Sequence, residues 1–238
     1  MRTRRLYWED ERAFTHDAIV CARQADAVAF DQTCFYPGGG GQPCDEGCAI
    51  LAGGVEIPIT GARADDEGVI WHFMADAPVE PGQSATLKLD GERRTALMRH
   101  HTVLHVLNTI VLRDYEGWIT GAQIGAAQSR IDFRLEGLSA AMCGDLETKV
   151  NRVLTAGHLL KAYFLPEAEF RERPDLLRTL EVKPPVIDGR VRVVEIEGFD
   201  AQACGGTHTH TTAEVGRFSI VKTENKGRIN KRLYVRLD

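Results

Sequence analysis

Two histidines on a predicted helix are the residues whose spacing first suggests chemistry. His101 and His105 stand at positions i and i+4, which places both imidazoles on one face of an α-helix, one turn apart. Two ring nitrogens at that spacing can bind one metal ion, but two ligands do not complete a zinc site. Cys204 and His208 add a thiolate and a third imidazole, and the two glycines between them allow a tight turn. Together the four residues have the ligand types of a zinc site.

Other histidines and cysteines leave alternatives to this ligand set. His100 precedes the first histidine of the pair and is rotated from it by about 100° on the helix, so we expect it to face away. His210 also follows the cysteine closely and could replace His208. Cys44 and Cys48 repeat a metal-like spacing in a turn-rich stretch, where a second metal is the weaker alternative to ordinary thiols.

A glycine-rich loop is the second unusual stretch, with the sequence TCFYPGGGGQ over residues 33–42. Consecutive glycines cost conformational entropy, so they indicate either a backbone that approaches a ligand or another chain, or a mobile surface loop. A phosphate-binding loop would end in Lys-Ser/Thr and open a helix, whereas here Gln42 and Pro43 follow. We therefore expect no nucleotide cofactor.

The composition is that of a globular cytoplasmic protein. Of the 238 residues, 43% are hydrophobic and 26% are charged, and the formal net charge is −5. No apolar run approaches the roughly 20 residues that span a bilayer, and no apolar segment follows the basic N-terminus as in a signal peptide. We expect no membrane partner, a cytoplasmic location, and cysteines present as thiols or metal ligands.

The pattern of short strands, turns and helices predicts an α+β protein of two domains. Residues 1–90 have strand-like alternation and frequent turn signals, which predict a small β-barrel or sandwich-like subdomain containing the glycine-rich loop. Residues 91–238 have helices and strands in separate runs. The elements expected there are helices over 91–115, 145–164 and 166–180 and strands over 128–135, 191–199, 217–223 and 231–237.

Three motifs in this order resemble the editing domain of alanyl-tRNA synthetases and its free-standing AlaX-type relatives, in the medium form. They are the loop at 33–42, the RHHTVLH run at 99–105 and the CGGTH run at 204–208. The resemblance covers almost the whole chain. It implies a β-barrel subdomain followed by an α/β-sandwich editing domain with an antiparallel sheet and helices. Threonyl-tRNA synthetases carry a related editing domain, and the glycine-rich loop favours the alanine-specific branch.

The resemblance implies hydrolysis of the ester between a wrong amino acid and alanine tRNA. Serine is the expected amino acid, with glycine as a second candidate, and one Zn²⁺ per chain is the expected cofactor. Thr33 is the candidate for the contact with the serine hydroxyl, and Gln42 for holding the ester end or a water. Gly39, Gly40 and Gly41 form the expected substrate loop.

Two questions stay open in the sequence. Four protein ligands would fill a tetrahedral zinc site, whereas a catalytic zinc keeps a position open, and no residue stands out as a general base. A non-catalytic tRNA-binding protein with a structural zinc, or a zinc hydrolase of small esters, is therefore an alternative to the editing enzyme. A basic cluster near the C-terminus favours a tRNA partner over a solvated hairpin. The residues expected to contact phosphates are Lys226, Arg228, Lys231 and Arg232.

Overall fold

The structure is a computed structural model and describes residues 2–179 and 184–238. The chain forms two compact units: the first consists of Met1–Gly39 and Pro43–Thr95, and the second of Gly40–Gln42 and Ala96–Asp238. The three residues Gly40–Gln42 thus belong to the second unit although the chain on both sides belongs to the first. The predicted division into functional domains at 1–90 and 91–238 stays a prediction.

The first unit is built on short strands separated by glycine-containing turns. Its strands are β1 (Arg4–Arg5), β2 (Thr15–Arg23), β3 (Ala27–Phe30), β4 (Gln32–Thr33), β5 (Gly47–Ile50), β6 (Glu56–Ile59), β7 (Ala62–Ala64), β8 (Ile70–Phe73) and β9 (Ser84–Leu89). A seven-stranded antiparallel sheet has the order β6-β5-β9-β2-β3-β8-β7, and β1 pairs in parallel with β4. Alternating burial along β9 reflects the period of two that one buried sheet face requires.

The predicted closed barrel is not confirmed. Within the described residues, the order of the large sheet begins at β6 and ends at β7, with no pairing between these two strands. Short alternating strands with frequent turns occur in open and closed sheets alike, so the sequence pattern could not decide whether the edges meet.

The second unit combines helices with antiparallel sheets. Its elements are α1 (Gly91–Tyr115, whose first turn belongs to the first unit), β10 (Trp118–Gln123), β11 (Ser129–Arg134), α2 (Ala140–Ala156), β12 (Leu160–Pro166), α3 (Glu167–Arg171), β13 (Val186–Ile187), β14 (Arg190–Ile196), β15 (Asp200–Ala203), β16 (Phe218–Asn225) and β17 (Asn230–Leu237). One sheet has the order β10-β11-β17-β16, and in the other β14 pairs with β12, β13 and β15. The predicted α+β class is confirmed.

Helix α1 is buried along residues 101–111, where every side chain is at most 6% exposed. Leu97, Leu104 and Leu107 belong to the core that α1 shares with α2 and the β10-β11-β17-β16 sheet. A helix buried on all sides cannot rotate or fray without opening the core. It is therefore a rigid support for the two histidines that it carries. None of the helices in the described ranges has the length and apolar character needed to cross a bilayer.

Two predicted helices differ from the structure. The helix expected over 145–164 begins earlier, because the Ser139 hydroxyl accepts a hydrogen bond from the backbone N–H of Met142 as an N-cap. It ends before Gly157, whose φ of 70° is the left-handed conformation typical of a helix C-terminus, and a strand follows. The helix expected over 166–180 is reduced to α3, and Pro174 starts only a short 3₁₀ turn. Residue 180 lies outside the described residues.

Candidate metal centre

The four predicted metal ligands lie together in the second unit. One donor atom from each of His101, His105, Cys204 and His208 lies within 4.8 Å of the others. The Cys204 sulfur is 3.5 Å from Nε2 of His101 and 3.4 Å from Nε2 of His208. The three histidines are buried, whereas the cysteine is half-buried. The chain thus brings one sulfur and three imidazoles to one point.

Two elements supply these ligands. Helix α1 carries His101 and His105 on one face, and the turn after β15 carries Cys204 and His208. The buried Arg192 guanidinium donates to the backbone carbonyls of Cys204 (3.1 Å) and Gly206 (2.9 Å), which fixes the shape of this turn. A Cβ atom at Gly206 would lie 2.3 Å from Cε1 of His101. Only glycine therefore allows the turn to approach the helix so closely.

Burial keeps the three imidazoles neutral. It lowers the pKa of His101 to about 3, and the nearby Arg192 guanidinium lowers that pKa further. Burial also holds the pKa values of His105 and His208 well below the usual range, with smaller contributions from neighbouring histidines and arginines. A neutral imidazole offers a nitrogen lone pair, which is the form that binds metals.

The donor set fits a zinc ion. Three imidazole nitrogens and one thiolate are ligands that zinc prefers in a tetrahedral arrangement, at about 2.0–2.3 Å from the ion. Nδ1 of His105 is buried and has no hydrogen-bond partner among the described residues. A buried nitrogen without a partner is costly unless another group takes up its lone pair or proton. The residues could therefore hold one metal ion; His210 is exposed and His100 lies outside the cluster.

Gln42 lies against the candidate ligands. Its side chain is 2% exposed, and its Oε1 atom is 2.8 Å from Nδ1 of His101. The same oxygen accepts a hydrogen bond from the backbone N–H of Thr207 (3.1 Å), while Nε2 donates to the Thr207 hydroxyl (2.9 Å). The predicted role of Gln42 at the ester or a water is untested, and its polar atoms contact a histidine and the ligand-bearing turn.

The glycine run has a structural reason within each unit. Gly39, Gly40 and Gly41 have φ values of 123°, 59° and 85°, in the left-handed region that favours glycine. A Cβ at Gly41 would also lie 2.7 Å from the carbonyl oxygen of Ala122 in β10. The close approach that four glycines indicated is, at this position, an approach to the chain itself. Their role as a substrate loop stays a prediction.

Thr33 lies in the first unit and is fully buried beside a histidine. Its Oγ1 atom is 2.8 Å from Nε2 of His72 and accepts a hydrogen bond from the backbone N–H of Phe35 (3.0 Å). Nδ1 of His72 is 3.2 Å from the carbonyl oxygen of Val28, which can only accept, so this nitrogen carries the ring proton. Burial lowers the pKa of His72 to about 4, so Nε2 is bare and the Thr33 hydroxyl donates to it. One lone pair of the Thr33 oxygen remains for a further donor.

The predicted phosphate contacts divide into two kinds. Lys226 and Arg228 are exposed at the turn between β16 and β17. The Lys231 amino group is buried and donates to the carbonyls of Gly227 (2.9 Å) and Arg228 (2.8 Å). Arg232 donates twice to the Asp132 carboxylate of β11, each time at 2.7 Å. The latter two side chains therefore support the hairpin from within the fold.

Three residues with clear contacts escaped the sequence reasoning. They are His72, Arg192 and Thr102, none of which the sequence singled out as a candidate. Thr102 has its hydroxyl 3.2 Å from Nδ1 of His208. Thr102 follows His101 in the sequence, but its hydrogen bond is to a histidine 106 residues away. No local signal marks any of the three.

Comparison with known proteins places the chain in a family. Residues 191–234 match the family described as the threonyl and alanyl tRNA synthetase second additional domain. The chain is 32% identical to the alanyl-tRNA editing protein AlaX-M of Saccharolobus solfataricus, over 98% of both chains. The corresponding protein of Methanosarcina acetivorans is 34% identical, again over 98% of both chains. The chain belongs to the AlaX-M family of alanyl-tRNA editing proteins.

The chain also resembles one part of a larger enzyme. The alanine–tRNA ligase of Pyrococcus abyssi is 33% identical over 93% of this chain, which covers 24% of the ligase. The resemblance to the alanyl-tRNA synthetase editing domain inferred from three motifs is therefore confirmed. Within this AlaX-M chain, the 191–234 match contains Cys204 and His208 but not the histidines of α1.

Proposed function

We propose that the protein is a zinc-dependent trans-editing hydrolase, which cleaves the ester bond between a wrong amino acid and alanine tRNA. The convergence of His101, His105, Cys204 and His208 at one buried point carries this proposal. Near full-length similarity to proteins named alanyl-tRNA editing protein supports it. Seryl-tRNA of the alanine type is the expected substrate and the glycyl ester is a second candidate. The cytoplasmic location expected from the sequence stays a prediction.

The chain's own residues prepare the site for a single zinc ion. When bound, zinc supplies a Lewis acid that can polarise a carbonyl or lower the pKa of a bound water. The three imidazoles are kept neutral by burial, which makes their lone pairs available. Cys204 is half-buried, whereas the three histidines are buried.

Thr33 is the proposed reader of the serine hydroxyl. Its own proton is donated to His72, so its oxygen can only accept the hydrogen bond from the substrate. A site with an unpaired buried acceptor rejects the alanine ester, because that acceptor would lose its partner. The expected discrimination is larger than a hydrophobic pocket could give between alanine and serine.

The outward face of the β11-β17-β16 region is the proposed tRNA surface. Lys226 and Arg228 are exposed at its turn. Nearby, the Lys222 amino group lies 5.1 Å from the ring centroid of Tyr234, which puts a cation and an aromatic ring side by side. The Glu224 carboxylate pairs with both Lys222 (2.5 Å) and Lys226 (3.5 Å), so a phosphate would compete with this carboxylate for the two lysines. Cations beside aromatic rings suit a nucleic-acid backbone and its exposed bases. Lys231 and Arg232 are proposed to act by holding this hairpin in shape, in addition to any phosphate contact.

Neutralising the exposed cations tests the tRNA surface. In a Lys226→Ala/Arg228→Ala variant, the slope of log affinity against log salt should become shallower by about one for each lost phosphate contact. Discrimination among amino acids should not change, since phosphate contacts carry no such information. The matched control neutralises Arg63 and Lys88, two exposed cations of the first unit, and should leave the slope unchanged. An unchanged slope in both variants would contradict the proposed surface.

One observation favours a second function, a tRNA-binding protein with a structural zinc. The chain supplies four donor atoms, which is the number that closes a tetrahedral zinc site. Under this alternative the chain would bind tRNA without cleaving the ester.

A deacylation assay separates the two functions. Seryl-, glycyl- and alanyl-tRNA of the alanine type, and threonine tRNA charged with serine, are incubated with the protein before and after chelation. The editing enzyme should release serine from alanine tRNA, lose that activity with the chelator, and spare alanyl-tRNA. Binding without release of any amino acid would support the structural zinc. Preference for the threonine tRNA would indicate specificity of the threonyl-tRNA synthetase kind.

A further inference from the structure

The orientation of two ligand histidines depends on polar side chains that bind no metal themselves. His101 and His208 both point Nε2 at the Cys204 sulfur. In each ring, Nδ1 lies against a side-chain oxygen of the second unit: Gln42 Oε1 for His101 and Thr102 Oγ1 for His208. Metal-binding histidines commonly donate the proton of their other ring nitrogen in this manner.

The proton on His101 can be placed by following the hydrogen bonds outward. The backbone N–H of Thr207 can only donate, so the Gln42 atom that it faces is the carbonyl oxygen and not the amide nitrogen. The same oxygen lies 2.8 Å from Nδ1 of His101 and can only accept, so Nδ1 carries a proton. A metal-binding imidazole has one proton, and Nε2 therefore keeps its lone pair on the side of Cys204.

We propose that Gln42 is a positioning residue for the metal site: its carbonyl oxygen holds the Nδ1 proton of His101 and thereby directs Nε2 toward the metal. The amide group of Gln42 simultaneously donates to the Thr207 hydroxyl, which joins α1 to the ligand-bearing turn. The inference rests on the proposed zinc site and gives Gln42 a task other than contact with the ester.

The surroundings of Gln42 occupy its carbonyl oxygen. A Cβ at Gly206 would lie 2.7 Å from Gln42 Oε1, so the turn packs directly on the carboxamide. The carbonyl of Gly41 accepts a hydrogen bond from the backbone N–H of Ile124 (2.8 Å), which anchors the preceding residue to the second unit. Both lone pairs of the Gln42 oxygen are used, one by His101 and one by Thr207. The Gln42 carbonyl oxygen therefore has no lone pair left to accept a hydrogen bond from a substrate or a water.

The expected effect is on metal affinity and not only on turnover. Gln42→Met keeps similar length without the hydrogen bonds, and should weaken zinc binding by about 10–100-fold, as does loss of comparable partners of metal-binding histidines. Gln42→Glu keeps an acceptor for both donors and should restore affinity to within about tenfold of the wild type. Gln24→Met, at an exposed glutamine of the first unit, is the matched control and should bind zinc as the wild type does.

The test is competition of the purified full chain with a chromophoric zinc chelator, together with the absorption spectrum of the Co²⁺-loaded protein, which reports ligand geometry. Gln42→Met with wild-type affinity and an unchanged Co²⁺ spectrum would overturn the inference while leaving the zinc site intact. A wild-type chain that binds no zinc would overturn the zinc site and this inference with it.

A measurement on the unaltered protein covers the case in which Gln42→Met does not fold. Long-range ¹H–¹⁵N correlation spectra of the zinc-bound wild type distinguish the two nitrogens of each imidazole. The His101 ring should carry its proton on Nδ1 and bind zinc through Nε2. Zinc bound to Nδ1 of His101 would overturn the inference.

Discussion

His72 of the first unit and His101 of the second are two buried imidazoles with similar surroundings and different partners. Burial lowers the pKa of both, to about 4 and about 3. In both, Nδ1 faces an oxygen that accepts its proton: the backbone carbonyl of Val28 for His72 and the Gln42 side chain for His101. They differ at Nε2, which faces the Thr33 hydroxyl in one unit and the Cys204 sulfur in the other.

The difference teaches that burial alone does not make a histidine a metal ligand. Burial produces a neutral ring with one bare nitrogen in both cases. The group opposite that nitrogen then decides whether the ring can bind a metal ion. A hydroxyl donates a hydrogen bond to the nitrogen lone pair and so occupies it, whereas a cluster of further metal-binding atoms keeps the lone pair available for an ion. The lowered pKa is common to both rings, and the geometry at Nε2 separates them.

The largest expected effect tests this separation directly. Wild-type protein should contain about one equivalent of zinc, and His101→Gln and Cys204→Ala should bind it at least about a hundredfold more weakly, since losing a ligand exceeds the loss of an outer partner. His72→Gln should retain the full zinc content. Elemental analysis measures the zinc content of each protein, and chelator competition measures its zinc affinity. Equal losses in His72→Gln and His101→Gln would refute the assignment of different roles to the two rings.

The next largest effect concerns the Thr33 hydroxyl, which donates to His72 and is the proposed acceptor for the serine hydroxyl. Thr33→Val keeps the shape of threonine without the hydroxyl, and should lower kcat/KM on the serine ester by several-fold to about a hundredfold. The glycine ester has no side-chain hydroxyl and should be affected much less. Thr33→Ser retains the hydroxyl and serves as the control. Equal losses of Thr33→Val on both esters would mean that Thr33 supports the fold and does not read the side chain.

The smallest effect is on the pH dependence of stability. The pKa of His72 is about 4 in the folded chain and about 6.5 in the unfolded chain. Well above pH 6.5 the residue is neutral in both states, so it contributes no pH dependence to the free energy of unfolding. As the pH falls from about 6.5 toward about 4, the unfolded chain binds a proton that the folded chain does not. The free energy of unfolding then decreases, by up to about 1.4 kcal/mol per pH unit.

Replacing His72 should remove this slope. Urea unfolding of the wild type and of His72→Gln at pH 7 and pH 5, at equal zinc content, should show a smaller loss on acidification in the variant. The comparison of slopes excludes the other titrating groups, because they are common to both proteins. Identical slopes would indicate that His72 is not the buried neutral group that the contacts with Val28 and Thr33 describe.

The four candidate ligands could be found from the sequence because the spacing within each pair is local. His101 and His105 share a helix face, and Cys204 and His208 share a turn, so each pair could be recognised without knowing the fold. The α+β class followed from the separate runs of helices and strands, which are also local patterns. The complementary ligand types connected the two pairs, since two imidazoles need further ligands to complete a zinc site, and the resemblance to a family supported that connection.

The rest depended on contacts between residues far apart in the chain. His72 approaches Thr33 through strand pairing within the first unit, and Arg192 reaches the ligand-bearing turn from β14. Neither residue type nor spacing indicates such a pair. The predicted small β-barrel is not confirmed for a similar reason, since whether two edge strands meet is a property of the whole sheet and not of any strand.

The distribution of the four candidate ligands over two distant stretches sets the order in which a nascent chain would acquire the proposed zinc ion. Helix α1 leaves the ribosome with His101 and His105 well before the residues after β15 are made. An ion that meets the growing chain finds a two-imidazole chelate first, and gains Cys204 and His208 only when the later turn has folded against the helix. Binding through all four candidate ligands therefore comes late in the synthesis of the chain. Gln42 is synthesised earlier, and it accepts the hydrogen bond from Thr207 once that turn has folded against the helix.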